Sequence, residues 1–218
     1  MKAYLLNIIG WMLLPFMDGI AKYLSSEIHF IQVVWGRYFF MFFITLTISF
    51  IFFRKYLKWP LNINIQLVRG FLLFITTILF FYSISVISLP EALTLAFISP
   101  IVVTVLSIFI LKERVGIHRW IAVFTGFLGV LIILRPGLKL FETGHGCMLF
   151  AAFVFSFSYL MVKQVSEEKS STEIVGFLSL FTTLFLIPMA IYDWESINNT
   201  NLFLLFLTAI IATCGHIT

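Results

Sequence analysis

Charge is what this 218-residue chain has least of: Asp, Glu, Lys and Arg together make up 11% of it, against about 25% in an ordinary soluble domain. With 61% hydrophobic residues, 27 of them Phe, so few charges could not cover the apolar surface in water. A soluble enzyme, a disordered tail and a nucleic-acid-binding module are excluded together. Cysteine is scarce as well. Cys147 and Cys214 lie in apolar or glycine-rich runs, so they read as packing residues, and neither a disulfide framework nor a metal site follows. The chain contains no phosphate-cradling GxxxxGK loop, no HExxH metal pair and no GxSxG nucleophile elbow. His29, His118, His145 and His216 each lie near a loop or the end of an apolar run. His145 with Cys147 is too small a set to hold a metal. No enzymatic activity, metal or cofactor is expected.

What the chain has is apolar length. A helix needs about 20 apolar residues to cross the roughly 30 Å hydrocarbon layer. Runs of that size occupy 4–24, 30–53, 67–86, 91–111, 117–135, 146–163, 173–192 and 201–218. They are continuous rather than alternating, so they read as helices and not as barrel strands. The expected fold class is all-α, a polytopic transmembrane helix bundle with about eight helices. Turn signals separate the runs: Trp59-Pro60 with Asn62 and Asn64, Leu89-Pro90, Arg135-Pro136-Gly137, and Ser170-Ser171. Connections are short, which leaves no room for a soluble domain. The opening run is too long for a signal peptide and carries Asp18 and Lys22, so it reads as an uncleaved first span.

The formal net charge is +4, and in a membrane protein the position of the basic residues carries the information. With the N-terminus inside, Lys2, Arg54, Lys55, Lys58, Arg69, Lys112, Arg114, Arg119, Lys163 and Lys169 fall on the inner side. Only Lys22, Arg37, Arg135 and Lys139 fall on the outer side. The excess favours a cytoplasmic N-terminus.

Charges inside spans are costly, about 2.5–3.5 kcal/mol near the bilayer centre on insertion scales, and therefore informative. Asp18 sits six residues before the end of the first run, about 9 Å deep at 1.5 Å per residue. Lys22 follows one turn later on the same face, where an i,i+4 ion pair could neutralise both. Arg37 lies seven residues into the second run and Glu91 opens the fourth. These four groups can converge on one polar site in the outer half of the bundle. The plainer alternative is a structural Asp18–Lys22 pair, with Lys22 snorkelling and Arg37 anchored on lipid phosphate. Arg69 reads as an interfacial positive-inside anchor, and Lys112-Glu113-Arg114 as a charged interfacial turn. Pro15, Pro100 and Pro188 lie within spans, where a missing donor kinks a helix and frees a carbonyl. Ser99-Pro100, with Thr94 and Thr104 nearby, can line a cavity or merely fit helices together. Trp11 and Tyr82 are deep enough to line a pathway and stack on a planar or cationic solute. Gly116, Gly126 and Gly129 supply small faces for close helix packing.

A shift of 136 residues lays the first run on the sixth. Gly10 falls on Gly146, Met12-Leu13 on Met148-Leu149, and Tyr23-Leu24 on Tyr159-Leu160. A five-span repeat inserts its second copy upside down, the architecture of many secondary transporters. The division expected is 1–137 for a first repeat of five spans and 138–218 for a partial second repeat of three. The last run stops at Ile217-Thr218 without a polar flank, so the sequence reads as C-terminally truncated, or as completed by a partner.

The stretch 69–137 carries a more specific pattern. Arg69-Gly70 is followed by Phe81-Tyr82-Ser83-Ile84, Leu89-Pro90-Glu91-Ala92-Leu93-Thr94-Leu95, Ser99-Pro100, Leu111-Lys112-Glu113-Arg114, Arg119-Trp120, Gly126-Phe127 with Gly129-Val130, and Arg135-Pro136. In order and spacing this closely resembles the EamA-type permeases of the drug/metabolite transporter superfamily. Asp18 with Lys22-Tyr23-Leu24, and Arg37-Tyr38-Phe39-Phe40, resemble the subgroup that contains S-adenosylmethionine uptake carriers. The resemblance implies ten helices in two inverted five-helix repeats, a central cavity, alternating access without ATP, and a small polar metabolite as substrate. On it, Tyr82, Glu91, Thr94 and Ser99 would line the cavity. The substrate pathway expected is thus Trp11, Asp18, Lys22, Arg37, Tyr82, Glu91, Thr94 and Ser99. A coupling proton could ride on Glu91 or Asp18, because a carboxylate taken out of water binds a proton more readily. The partners expected are a small-molecule metabolite, the lipid bilayer of the bacterial inner membrane and that proton, with a homodimer left open and nucleic acid excluded. The rival readings are a non-transporting membrane scaffold or assembly partner, a non-functional fragment, and a lipid-modifying enzyme, for which the sequence offers no convincing catalytic cluster.

Overall fold

The structure is a computed structural model. It describes residues 2–53, 63–112, 115–134, 141–166, 171–192 and 194–217, with side chains over 12–51, 63–112, 115–132, 141–162, 172–192 and 194–216. The turn signals at 59–62 and 135–137, Ser170, and the side chains of Glu113 and Arg114 lie outside the described residues, as does the side chain of Trp11.

Nine helices are described: α1 (Lys2–Glu27), α2 (Phe30–Phe53), α3 (Ile63–Val86), α4 (Leu89–Ala96), α5 (Ser99–Ile110), α6 (Ile117–Leu134), α7 (Thr143–Ser166), α8 (Ser171–Tyr192) and α9 (Asn199–Ile217). Each apolar run has become a helix, and the fourth has become two. Six spans among the described residues are long and apolar enough to cross a membrane, one of them formed by α4 and α5 together over Leu89–Ile110. The protein is a polytopic helical bundle crossing a membrane several times.

The helices group into two compact units. The first comprises Met1–Phe74 and Val165–Thr218, the second Ile75–Gln164. In the first unit α2 packs on α8 and α9, and α1 on α9. With no hydrophobic drive between helices in lipid, small residues and interhelical hydrogen bonds do the joining. Gly70 of α3 is the tightest point: a β-carbon there would stand 2.6 Å from the Phe181 β-carbon of α8. At the same place the Thr182 hydroxyl donates to the Gly70 carbonyl at 3.3 Å. Gly36 of α2 lets Leu205 of α9 approach in the same way, at 3.2 Å from an added β-carbon.

In the second unit the Ser83 hydroxyl donates to the Gly144 carbonyl at 2.8 Å. A β-carbon on Gly144 would meet Val86 and Ile87 at 3.1 Å. Gly116, Gly126 and Gly129, by contrast, have nothing within 4 Å of an added β-carbon among the described residues. The expectation that they mediate close packing is corrected: the close approaches are at Gly36, Gly70 and Gly144. A glycine advertises room for a neighbour, and only the helix's rotation decides whether one comes.

The fourth span breaks where its proline predicts. α4 starts in a capping box: the Ser88 hydroxyl accepts from the Glu91 amide, and the Glu91 carboxylate accepts from the Ser88 amide. α4 ends at Ala96 with Phe97 as its C-cap, and α5 restarts with Pro100 in its first turn, where the missing N–H is harmless. Ser156 of α7 donates its hydroxyl to the Ser99 carbonyl at 3.1 Å, which satisfies a backbone group beside the break. α5 ends at Ile110 with Leu111 as its C-cap, and Lys112 follows with φ of 52°. This left-handed residue after a helix end is usually glycine.

Candidate functional site

The first unit gathers its polar groups from four helices. Arg37 on α2 is only 7% exposed. One of its terminal nitrogens points at the Met17 sulfur, 3.8 Å away on α1, and the other at the Tyr38 hydroxyl at 3.5 Å. The guanidinium carbon stands 4.9 Å from the centre of the Tyr38 ring, a cation–π contact that partly replaces lost hydration. Arg37 therefore faces into the protein, and the lipid-phosphate reading is set aside. Asp18 on α1 is half-buried and feels the charge of Arg37. Lys22, one turn further, is half-buried too.

Two members of this group were not anticipated. Arg69, read from the sequence as an interfacial anchor, is 3% exposed on α3, and its Nη1 donates to the Gln66 side-chain oxygen at 3.0 Å. His216 on α9 feels both Arg37 and Arg69 electrostatically. The sequence held one usable signal: Gln66 and Arg69, three residues apart in an apolar run, share a helical face.

Further along α2, Gln32 is fully buried and donates to the Glu195 carbonyl at 2.9 Å. It ties the segment between α8 and α9 to α2. Trp35, one turn on, meets Trp194 edge-on with ring centres 5.6 Å apart. Among the described residues the Gln32 Oε1 and Trp35 Nε1 atoms are buried without hydrogen-bond partners.

The remaining expected pathway residues belong to the second unit. Glu91 is half-exposed, and its carboxylate takes both the Ser88 amide at 3.2 Å and the Ser88 hydroxyl at 2.8 Å; it caps α4. Tyr82 is exposed, with its hydroxyl 3.4 Å from that of Thr143. Thr94 is buried and bonds back to the Pro90 carbonyl at 2.7 Å. Thr94, Pro100 and Thr104 line a cavity of about 540 Å³ with Phe97, Ile101, Arg119, Gly126 and Gly129. Ser99 is buried, and its carbonyl is occupied by Ser156. His145 accepts the Glu142 amide on its ring nitrogen at 3.1 Å, a cap for α7. Among the described residues no group of three or more His, Cys, Asp or Glu could hold a metal ion.

The first unit offers hydrogen-bond donors and fixed charge in apolar surroundings. The chain is 26% identical to the S-adenosylmethionine uptake transporter of Rickettsia prowazekii over 94% of its own length and 71% of the relative's. Against the riboflavin transporter of Vibrio cholerae it is 35% identical over 56% of its length and 41% of the relative's. One solved crystal structure superimposes with a TM-score of 0.73, covering 97% of this chain and 77% of the other at 15% identity, which supports the fold. Residues 1–135 match the EamA-like transporter family, and the chain belongs to that family of secondary transporters for small metabolites.

Proposed function

We propose that this chain takes up a small polar metabolite across the bacterial inner membrane, with its N-terminus cytoplasmic, by alternating access of two inverted repeats divided near residue 137. The observation that carries the reading is the buried Arg37. It acts electrostatically on Asp18 of α1 and on His216 of α9. A charge that costs a membrane protein this much is kept where it meets a solute. The relatives named for S-adenosylmethionine and riboflavin uptake support import of a solute of that size, with aromatic and charged parts. Asp18, Lys22 and Arg37 form the recognition surface in the first unit. Tyr82, Thr94 and Ser99 are the candidate pathway residues of the second unit, taken by itself. Glu91 is the candidate group for a coupling proton. A second copy of the chain is a compatible partner.

Uptake by proteoliposomes containing the purified chain tests this. A screen of labelled metabolites that includes S-adenosylmethionine and riboflavin should show accumulation of at least one solute above protein-free vesicles. Arg37→Gln should abolish it. Accumulation of nothing, or full activity in Arg37→Gln, would overturn the proposal.

A further inference from the structure

The cavity of the second unit lies between α6 and the pair α4 and α5, and its volume of about 540 Å³ is enough for one ligand chain. On the α6 side Arg119, Val123, Gly126 and Val130 recur at helical spacing and form one face of the groove. Among the described residues nothing lies within 4 Å of a β-carbon added at Gly126 or Gly129, so the missing side chains keep it open. Phe97 and Ile101 stand in the opposite wall. Thr94 and Thr104 donate their hydroxyl protons to the Pro90 and Pro100 carbonyls at 2.7 and 2.8 Å, within their own span. What remains is an apolar groove with one charged group, Arg119. Ile121, Phe124 and Leu128, exposed on α6 beside it, are side chains that acyl chains solvate.

Length and charge select the occupant. From Arg119 to Val130 the α6 wall of the groove runs about 16 Å at 1.5 Å per residue, half of the roughly 30 Å hydrocarbon layer and so the depth of one leaflet. Arg119 stands at the end where α6 begins, and the connection arriving from α5 carries Lys112 and Arg114 against Glu113. The mouth is therefore net positive, and basic pockets between membrane helices bind anionic lipid headgroups. We propose that this groove holds an anionic phospholipid, with its phosphate on Arg119 and one acyl chain along Gly126 and Gly129. The assignment goes beyond the transport reading and does not rest on it. Thr94 then belongs to the wall of the lipid site, which leaves Tyr82 and Ser99 as the pathway candidates of this unit.

The test places the full chain in phosphatidylcholine nanodiscs with a trace of photoactivatable phosphatidylglycerol or, in parallel, of phosphatidylcholine with the same acyl chains. Labelled peptides are located by mass spectrometry. The phosphatidylglycerol probe should label the stretches around Ile101 and Val123 about fivefold more than the phosphatidylcholine probe, the effect of one basic residue on an anionic lipid. Arg119→Gln should bring that ratio to about one. Arg119→Lys keeps the charge and should retain part of the preference, which separates recognition from a failure to fold. Gly126→Leu fills the groove and should lower labelling by both probes there, while labelling at the exposed Phe16 of the first unit stays as it was. Equal labelling by the two probes, or an undiminished preference in Arg119→Gln, overturns the proposal. Absence of label from the groove means that a protein segment covers it, a second copy included, and overturns it too. Displacement of the lipid label by glycerol phosphate or by S-adenosylmethionine would give the groove to a soluble ligand, with the same consequence.

Discussion

Replacing Gly70 with alanine puts the helix-packing account at risk most sharply. The added β-carbon would lie 2.6 Å from the Phe181 β-carbon and 3.4 Å from the Thr182 amide nitrogen. Carbon atoms in contact prefer about 3.5–4.0 Å, so α3 and α8 must separate by roughly an ångström. The Thr182 hydroxyl bond to the Gly70 carbonyl, 3.3 Å as it stands, would lengthen beyond use. Overpacking of this kind costs about 1–3 kcal/mol, and an interhelical hydrogen bond in a membrane adds about 0.6 kcal/mol. The expected loss is therefore about 2–3 kcal/mol, partly offset by the better helix propensity of alanine, which is worth up to about 1 kcal/mol. Because the obstructing atom is a β-carbon, shortening Phe181 to alanine gives no relief. Reversible denaturation of the detergent-solubilised chain reads the difference. Gly126→Ala is the control, since nothing lies within 4 Å of its added β-carbon, and it should be neutral or slightly stabilising. Equal stability for the two variants would refute the reasoning.

Other substitutions test other parts. Gly144→Ala should destabilise the second unit by about 1–2 kcal/mol, since its β-carbon meets Val86 and Ile87 at 3.1 Å; loss of protection at Ser83 in hydrogen exchange would report it. Lys112→Gly should stabilise the chain by up to about 1 kcal/mol, because the residue adopts φ of 52°; a thermal shift downward would contradict this. Glu91→Gln keeps a side chain able to close the capping box, so the fold should survive. If Glu91 carries the coupling proton, pH-driven uptake is lost; unchanged pH dependence removes it from that role.

The spans were legible because the bilayer fixes their length, and the break before Pro100 because proline removes a donor. Asp18 and Arg37 were legible because charge in an apolar run needs a reason. Arg69 was not. Six residues from a helix start, it has the position of a positive-inside anchor, and only the contact of Gly70 with Phe181 next to it turns that stretch of α3 into the bundle. His216 was hidden for a related reason: its neighbours Arg37 and Arg69 come from α2 and α3, far away in the chain. Gly126 and Gly129 misled in the opposite direction, since small residues signal a packing face without saying which helix uses it. Glu91 read as a pathway charge, while its spacing from Ser88 also spelled the cap that it makes.

The account depends on water reaching the positive surroundings of Arg37 and Arg69. A single cysteine at position 216, in a chain whose Cys147 and Cys214 are serine, measures that directly by its rates with anionic and cationic thiosulfonate reagents. The account predicts reaction from the aqueous phase, faster with the anionic reagent than with the cationic one, and a smaller ratio once Arg69 is glutamine. A thiol that never reacts, or that prefers the cationic reagent, would contradict it.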